Sequence, residues 1–240
     1  MNNESIVLSI ANLVKEKFIN ENSGHDWDHA KHVWENAIKI GNGEKGVNIF
    51  VVELAALLHD VNDWKKPDEE IVEGNKNILE WLNKFNIEKE IIDQIFEVIN
   101  NVSFHGPNSI TKEVTKETEI VRDADRLEAM GAVGWERCLK FGRSKGSPDI
   151  NEYLPNLNLT DEEYKDHSRK ANTSINHVFE KLLLLKRLLS TDTGKEMGKV
   201  RHEELKTAVK EYLVGILGKK IVSDDRIRQY IKMLDVPSFN

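Results

Sequence analysis

An all-α fold is predicted by three features of the 240-residue sequence. Apolar residues recur at intervals of three and four, as in the stripe Ile6, Ile10, Val14 and Phe18 after Ser5. Capping signals separate these periodic segments, and no run shows the strict alternation of a strand. The chain is also long enough to bury a sizeable core. We therefore predict a bundle of amphipathic helices.

The helices of the first half follow from these signals in chain order. The second helix should end near Gly41-Asn42-Gly43, a strong helix-stop signal. Segment 50–58 is apolar nearly all round, which is typical of a central buried helix. After the helix that follows Ser5, the predicted helices are 27–40, 50–58, 71–85, 88–102, 120–130 and 131–141.

The second half contains one extended irregular stretch, 142–159, which has two prolines and several asparagines. It could be a mobile loop over a site or a plain connector. Thr160 and Glu163 have the spacing of a capping box, so a long helix to about Leu189 is expected. A break at 191–194, a helix over 196–217 and a short helix from Ser223 to Leu234 complete the chain.

Composition argues against several classes of partner. The formal net charge is -7, so we expect no general attraction to nucleic acid or to an anionic membrane. No apolar run approaches the roughly 20 residues that span a bilayer, and the N-terminal residues do not resemble a signal peptide. The single cysteine, Cys138, excludes an intramolecular disulfide and favours a packing role over a reactive thiol. We expect a cytoplasmic protein.

A histidine and an aspartate, His59 and Asp60, close the apolar run 51–58. Polar groups at the end of a buried helix need a partner, and a metal cation would satisfy both. His29 and Asp125 lie at separations that suit a helical bundle. Imidazole and carboxylate ligands suit manganese, iron, zinc or magnesium without choosing among them. Two histidines and two aspartates would leave open positions for water and a phosphate oxygen.

Each of these residues also has a simpler interpretation. His29 could be a surface histidine at a helix start, and Asp125 could pair with Arg122 or Arg126. His59 could interact with the helix dipole, although an aspartate at a helix C-terminus is unfavourable.

Four segments carry a resemblance to the HD-domain superfamily of metal-dependent phosphohydrolases, and to one bacterial subgroup of stand-alone hydrolases within it. The similarity covers roughly residues 5–215. The segments are 24–29, 57–60 with Asp63 and Lys65, 123–132, and 176–186. The resemblance implies an all-α HD-domain helical bundle with additional C-terminal helices packed on it.

The same resemblance implies one divalent metal ion, manganese or magnesium, with iron, zinc, nickel and cobalt as alternatives. It carries the metal ligands over onto His29, His59, Asp60 and Asp125. One position departs from the subgroup, which commonly has arginine where this chain has His32. A histidine offers less dependable charge than arginine at neutral pH, so a phosphate role at this position is in doubt.

The other candidate site residues are charged or hydrogen-bonding groups near these segments. Asp63 and Lys65 are predicted catalytic residues, with an exposed charged loop as the alternative. Arg126 could equally form a salt bridge with Asp123 or Glu128, and at most a subset of Asn176, His177 and Lys181 would reach a pocket. The predicted substrate-binding residues are His25, His105, Arg126 and Lys181.

We predict an HD phosphohydrolase domain over 1–218, with its metal-site core at about 20–132 and supporting helices at about 160–217. Residues 219–240 form a C-terminal helical extension, which could dock on the body of the protein or on a second subunit of a homodimer. The expected partner is a small-molecule nucleotide or phosphate substrate. Conversion of a nucleoside or deoxynucleoside triphosphate to monophosphate and pyrophosphate is favoured. A 5'-nucleotidase, a phosphodiesterase or a non-catalytic nucleotide sensor are the alternatives.

Overall fold

The computed structural model describes residues 1–19, 26–62, 68–103, 113–166 and 168–236. Within these ranges the chain forms α-helices and one 3-10 helix, and no strand. The all-α prediction is confirmed. The elements are α1 Asn3–Lys17, α2 Trp27–Gly43, α3 Ile49–Leu58, α4 Asp68–Lys84, α5 Lys89–Val102, α6 Lys116–Glu128, α7 Gly131–Ser144, α8 Asp161–Lys165, α9 Ser174–Glu180, the 3-10 helix Leu182–Leu188, α10 Asp192–Ile216 and α11 Asp224–Leu234.

The chain divides into two compact units. The first contains the described residues up to Ser103, those from 113 to Glu128, and the short segment Ser190–Gly194. The second contains the described residues of Ala129–Leu189 and those from Lys195 to Val236. The predicted division at residue 218 stays a prediction. None of the helices in the described ranges is long and apolar enough to cross a membrane.

Helix α3 is the centre of the first unit. Eight of its residues are buried, including the run Leu54–Leu58 on every side of the helix. It packs against α1, α2, α5 and α6, and α2 also packs against α6. A helix that is apolar all round must be surrounded in this way. The prediction of a central helix at 50–58 is therefore confirmed, and its C-terminal end lies among neighbouring helices.

Helix α2 ends at Gly43, within the predicted stop at Gly41-Asn42-Gly43. A Cβ atom on Gly41 would lie 2.6 Å from the side chain of Ile49, and one on Gly43 would collide with Thr193. These glycines therefore permit close packing at the end of α2. The predicted break between helices 71–85 and 88–102 is confirmed, and Asn86 has a positive φ of 51° in this break between α4 and α5.

The long helix predicted from 160 to 189 is wrong. The chain forms three short helices instead, α8, α9 and the 3-10 helix. The capping box at Thr160 and Glu163 is present, but α8 ends after five residues. Thr173 then caps α9 by accepting a hydrogen bond from the Asn176 backbone. Thr and Asn side chains that bond nearby backbone compete with a continuous helix, and this competition is not visible in helix periodicity.

The irregular segment before α8 is an anchored connector within the second unit. Asn176 donates hydrogen bonds to the carbonyl oxygens of Tyr153 and Ala171, at 3.0 and 2.7 Å. Glu180 accepts a hydrogen bond from the Asn156 backbone at 3.0 Å. These bonds anchor Tyr153 and Asn156 of segment 142–159 to α9.

Helix α11 docks on the same unit, so its apolar face is buried against its own chain. Ile227, Tyr230 and Leu234 are buried, and the Tyr230 hydroxyl bonds both Tyr153 and Asn176. Cys138 is also a packing residue: its thiol lies 3.6 Å from the Ser174 carbonyl oxygen, and burial raises its pKa to about 12.

Candidate metal centre

Three helices of the first unit position the four predicted metal ligands. His29 lies in the first turn of α2, where its backbone N–H donates to the capping carboxylate of Asp26 at 3.0 Å. His59 is the residue that ends α3, and Asp60 follows it directly. Asp125 lies in the last turn of α6, and α6 packs against both α2 and α3. The packing of the three helices brings distant parts of the sequence together.

The ligand atoms of these residues converge. His29 Nε2 lies 3.3 Å from His59 Nε2, 3.0 Å from Asp60 Oδ2 and 3.6 Å from Asp125 Oδ1. His59 Nε2 lies 3.3 Å from Asp60 Oδ2. One ligand atom each from His29, His59 and Asp125 lies within 4.8 Å of the other two. This group could hold a metal ion, and Asp60 lies directly against it.

The oxygen atoms that lie against the two Nδ1 atoms indicate which nitrogen of each histidine faces the cluster. His59 Nδ1 lies 2.8 Å from the carbonyl oxygen of Ala56, which can only accept. His29 Nδ1 lies 3.0 Å from Glu128 Oε2, also an acceptor when ionised. Each Nδ1 therefore faces an acceptor, and a neutral imidazole with its hydrogen on Nδ1 presents the Nε2 lone pair to the cluster.

The donor set fits a divalent cation. In these tautomers the four converging atoms are two imidazole lone pairs and two carboxylate oxygens, none of which can donate a hydrogen bond to another. A divalent cation among them would satisfy all four, and mixed nitrogen and oxygen ligation suits the first-row metals and magnesium.

Exposure shows which side of the cluster is open. The side chains of His29 and His59 are 4% exposed and that of Asp60 is 11% exposed. The side chain of Asp125 is 29% exposed. Within the part of the chain that the structure describes, Asp125 therefore marks the side from which water or a ligand can approach.

Glu128 lies beside the cluster, although the sequence indicated it only as an alternative salt-bridge partner of Arg126. Its side chain is 2% exposed and contacts the outer nitrogen of His29. The signal was its position three residues after Asp125, since residues i and i+3 share one face of a helix. His32, 48% exposed, has Nδ1 3.9 Å from the other Glu128 oxygen.

Arg126 is buried in the first unit, with its guanidinium 3.6 Å from Asp123. Burial lowers the pKa of Arg126, while Asp123 opposes that shift. The ion pair with Asp123 was one of the alternatives given above. Phosphate binding by Arg126 stays a prediction.

The remaining predicted residues lie in the second unit or outside the described residues. Lys181 is half-buried at the C-terminal end of α9 in the second unit, where its backbone N–H donates to His177. The other four, His25, Asp63, Lys65 and His105, lie outside the described residues.

Comparison with known proteins identifies the family. The HD domain family matches residues 26–130, a span that contains all four predicted ligands and Glu128. The chain is 35% identical to YpgQ of Bacillus subtilis over 190 residues, which cover 79% of this chain and 83% of YpgQ. The chain belongs to the HD-domain superfamily of metal-dependent phosphohydrolases. This HD protein is accordingly a metal-dependent phosphohydrolase.

Solved structures resemble this HD protein over most of its length. A Lactobacillus plantarum protein matches with a TM-score of 0.72 and 28% identity, covering 88% of this chain and 98% of the other. A Bacillus thuringiensis protein described as an HD-superfamily hydrolase matches with a TM-score of 0.66 and 30% identity, covering 88% and 97%. YpgQ in complex with ADP matches with a TM-score of 0.66 and 32% identity, covering 88% and 98%.

Proposed function

We propose that this HD phosphohydrolase acts on a nucleotide, converting a nucleoside or deoxynucleoside triphosphate to the monophosphate and pyrophosphate. His29, His59, Asp60 and Asp125 would hold one divalent ion, manganese or magnesium. The observation that carries the proposal is the convergence of two imidazole Nε2 atoms with two carboxylate oxygens, with Asp125 the most exposed of the four side chains.

Nucleotide as the substrate class is supported by the relative. YpgQ has been crystallised with ADP, and it is 32% identical to this chain in the region that the two structures share. ADP carries a phosphoanhydride and a nucleoside, the two parts that distinguish a nucleotide polyphosphate from other phosphate compounds.

The bound ion would supply a Lewis acid and a water of lowered pKa. The residues of the chain supply the rest. The acceptors at both Nδ1 atoms keep the Nε2 lone pairs directed inward, and Asp60 and Asp125 add negative charge that favours a cation over water alone. The exposed side of Asp125 leaves room for a phosphate oxygen. Two charges outside the described residues, Asp63 and Lys65, are proposed to complete the site.

In the proposed reaction, a water oxygen forms a bond to the α-phosphorus while the bond from that phosphorus to the bridging oxygen breaks. Pyrophosphate leaves with the bridging oxygen and its electron pair. In this proposal Asp63 would accept the proton of the attacking water, and Lys65 would supply a cation for the phosphoryl oxygens. Positioning and charge compensation supply most of the rate in phosphoryl transfer, so both residues act without forming a covalent bond.

The experiment is a product analysis with purified protein, manganese and a panel of nucleoside mono-, di- and triphosphates in ¹⁸O-labelled water. We expect monophosphate and pyrophosphate from triphosphates, with the label in the monophosphate because attack is at the α-phosphorus. Orthophosphate from monophosphates would instead identify a nucleotidase. Absence of any product from the panel would contradict catalysis on nucleotides and favour a sensor.

Variants connect the reaction to the site. His59→Ala and Asp60→Asn are expected to reduce turnover at least 100-fold, because each removes a ligand of the only ion in the mechanism. Asp93→Asn, which changes an exposed aspartate of α5, is the matched control and should retain full activity. Equal activity in Asp60→Asn and Asp93→Asn would contradict the proposed centre.

A further inference from the structure

Glu128 has one of the most buried carboxylates of the first unit, with 2% of its side chain exposed. A buried carboxylate is unfavourable unless it accepts strong hydrogen bonds or faces positive charge. Its Oε2 atom lies 3.0 Å from Nδ1 of His29. The burial of this carboxylate next to His29 therefore indicates a role linked to His29.

Helix α6 contacts both nitrogens of the His29 ring. Asp125 Oδ1 lies 3.6 Å from Nε2, and Glu128 Oε2, one helical turn later, lies 3.0 Å from Nδ1. The two nitrogens of an imidazole point to different sides of the ring. Glu128 is thus directed to the outer nitrogen, away from the cluster, and Asp125 to the inner one. Glu128 cannot share the coordination sphere that Nε2 faces.

The chemistry of an ionised carboxylate then decides the state of His29. Such a group only accepts hydrogen bonds, so the hydrogen of the neutral ring must be on Nδ1. Nε2 is left with a lone pair, which is the form that binds a metal. Carboxylates in this arrangement orient the ring and increase its basicity. Without Glu128, the tautomer with hydrogen on Nε2 becomes accessible, and that form cannot be a ligand.

We infer that Glu128 is the positioning residue of His29, setting its tautomer and orientation for the metal. The inference rests on the proposed metal centre, since it concerns a ligand of that centre. His59 provides an internal comparison, because its Nδ1 bonds the backbone carbonyl of Ala56. A mutation can remove the acceptor of His29 while leaving that of His59 in place.

The first measurement is a manganese titration followed by the EPR signal of the free ion. Removal of such an acceptor typically weakens metal binding 10- to 100-fold. We expect that loss in Glu128→Ala, and a smaller one in Glu128→Gln, because an amide oxygen still accepts from Nδ1. Glu119→Ala, on the same helix, is the matched control and should bind as wild type does.

The second measurement uses metal-free protein with ¹⁵N-labelled histidine, since ring nitrogen shifts distinguish the two tautomers. In wild type we expect hydrogen on Nδ1 of both His29 and His59. In Glu128→Ala only the His29 signals should change, which a general loosening of the fold would not produce. Should that variant not fold, as judged by circular dichroism, Glu128→Met supplies the same comparison, because it removes the acceptor while nearly keeping the volume of the side chain.

The two measurements separate this inference from the proposed function. Unchanged manganese binding and an unchanged His29 tautomer in Glu128→Ala would overturn the positioning role and leave the metal centre intact. Failure of the wild type to bind manganese would overturn the centre, while the His29 tautomer in metal-free protein would still decide what Glu128 does.

Discussion

The fold shifts the pKa values of two carboxylates, Asp123 and Asp149, in opposite directions. Asp123 is fully buried, and this burial raises its pKa despite hydrogen bonds from Ser190 and Thr191. Asp149 shows the opposite behaviour. Its two oxygens accept hydrogen bonds from Arg143, at 3.0 and 2.5 Å, and the Arg143 interaction lowers its pKa. Tyr212 adds a hydrogen bond at 3.0 Å.

A pH dependence of stability follows from Asp149. Its pKa is lower in the folded state than in the unfolded state. Its contribution to stability is therefore present near neutral pH and is lost as the pH falls through the pKa of the folded state. Asp149→Asn should reduce the free energy of unfolding by about 1 kcal/mol at pH 7, given the exposure of Arg143. The difference from wild type should shrink below about pH 4. Urea unfolding at both pH values measures it.

The control for this pH effect is Asp93→Asn, which breaks an exposed ion pair with Lys89. Such pairs contribute little, so we expect almost no change at either pH. A difference between Asp149→Asn and wild type that grows on acidification would contradict the assigned role of Asp149.

At the scale of elements, the side-chain amide of Asn176 connects several segments of the second unit. Asn176 is fully buried and bonds the carbonyl oxygens of Tyr153 and Ala171 and the hydroxyl of Tyr230. It therefore links α9 to the connector before α8 and to α11.

Substitutions of Asn176 and Tyr230 test this connection. Asn176→Ala should reduce the free energy of unfolding by about 3 kcal/mol, because it removes a fully buried amide that makes three side-chain hydrogen bonds. Tyr230→Phe should cost only about 1 kcal/mol, since the ring remains packed. Because the two residues share a hydrogen bond, the double variant should lose less than the sum. Additive effects in urea unfolding would contradict a shared network.

At the scale of the whole molecule, the path of the chain is unusual in one respect. Segment Ser190–Gly194 belongs to the first unit, although the residues on either side of it belong to the second. Asp123 holds this segment by accepting hydrogen bonds from the backbone of Ser190 and Thr191 and from the Thr191 hydroxyl. Glu44 accepts another from the Thr193 backbone. This attachment brings the start of α10 against α6, two residues from Asp125.

Two glycines of α10 provide a matched test of this attachment. A Cβ atom on Gly194 would lie 2.6 Å from both Asp123 Oδ2 and Thr191 Oγ1, atoms already engaged in the network. Gly194→Ala should therefore reduce the free energy of unfolding by about 2 kcal/mol. A Cβ atom on Gly215 would meet nothing within 4 Å, so Gly215→Ala should stabilise by about 0.5 kcal/mol through helix propensity. Equal effects of the two changes in thermal unfolding would show that the attachment is unimportant.

Much of the helical architecture was predictable because it depends on local patterns. The all-round apolar character of α3 predicted its central place, and the turn at Asn86 and the cap at Ser223 followed from short-range signals. The prediction of one long helix over 160–189 was wrong because the side chains of Thr173 and Asn176 bond backbone groups outside a continuous helix. The stop at Gly41-Asn42-Gly43 was also predictable, but the contacts of these glycines with Ile49 and Thr193 depend on tertiary packing that no local pattern shows.

By itself, the sequence determined the fold class, the family resemblance and the types of residue available for a metal, because these depend on composition and spacing along the chain. Only the tertiary structure decided that His29, His59, Asp60 and Asp125 converge and which nitrogen of each histidine faces the others. It also decided that Glu128 lies next to the outer nitrogen of His29. Those facts depend on how α2, α3 and α6 pack together. Distances between residues far apart in a chain are set by such packing, and no local pattern encodes them.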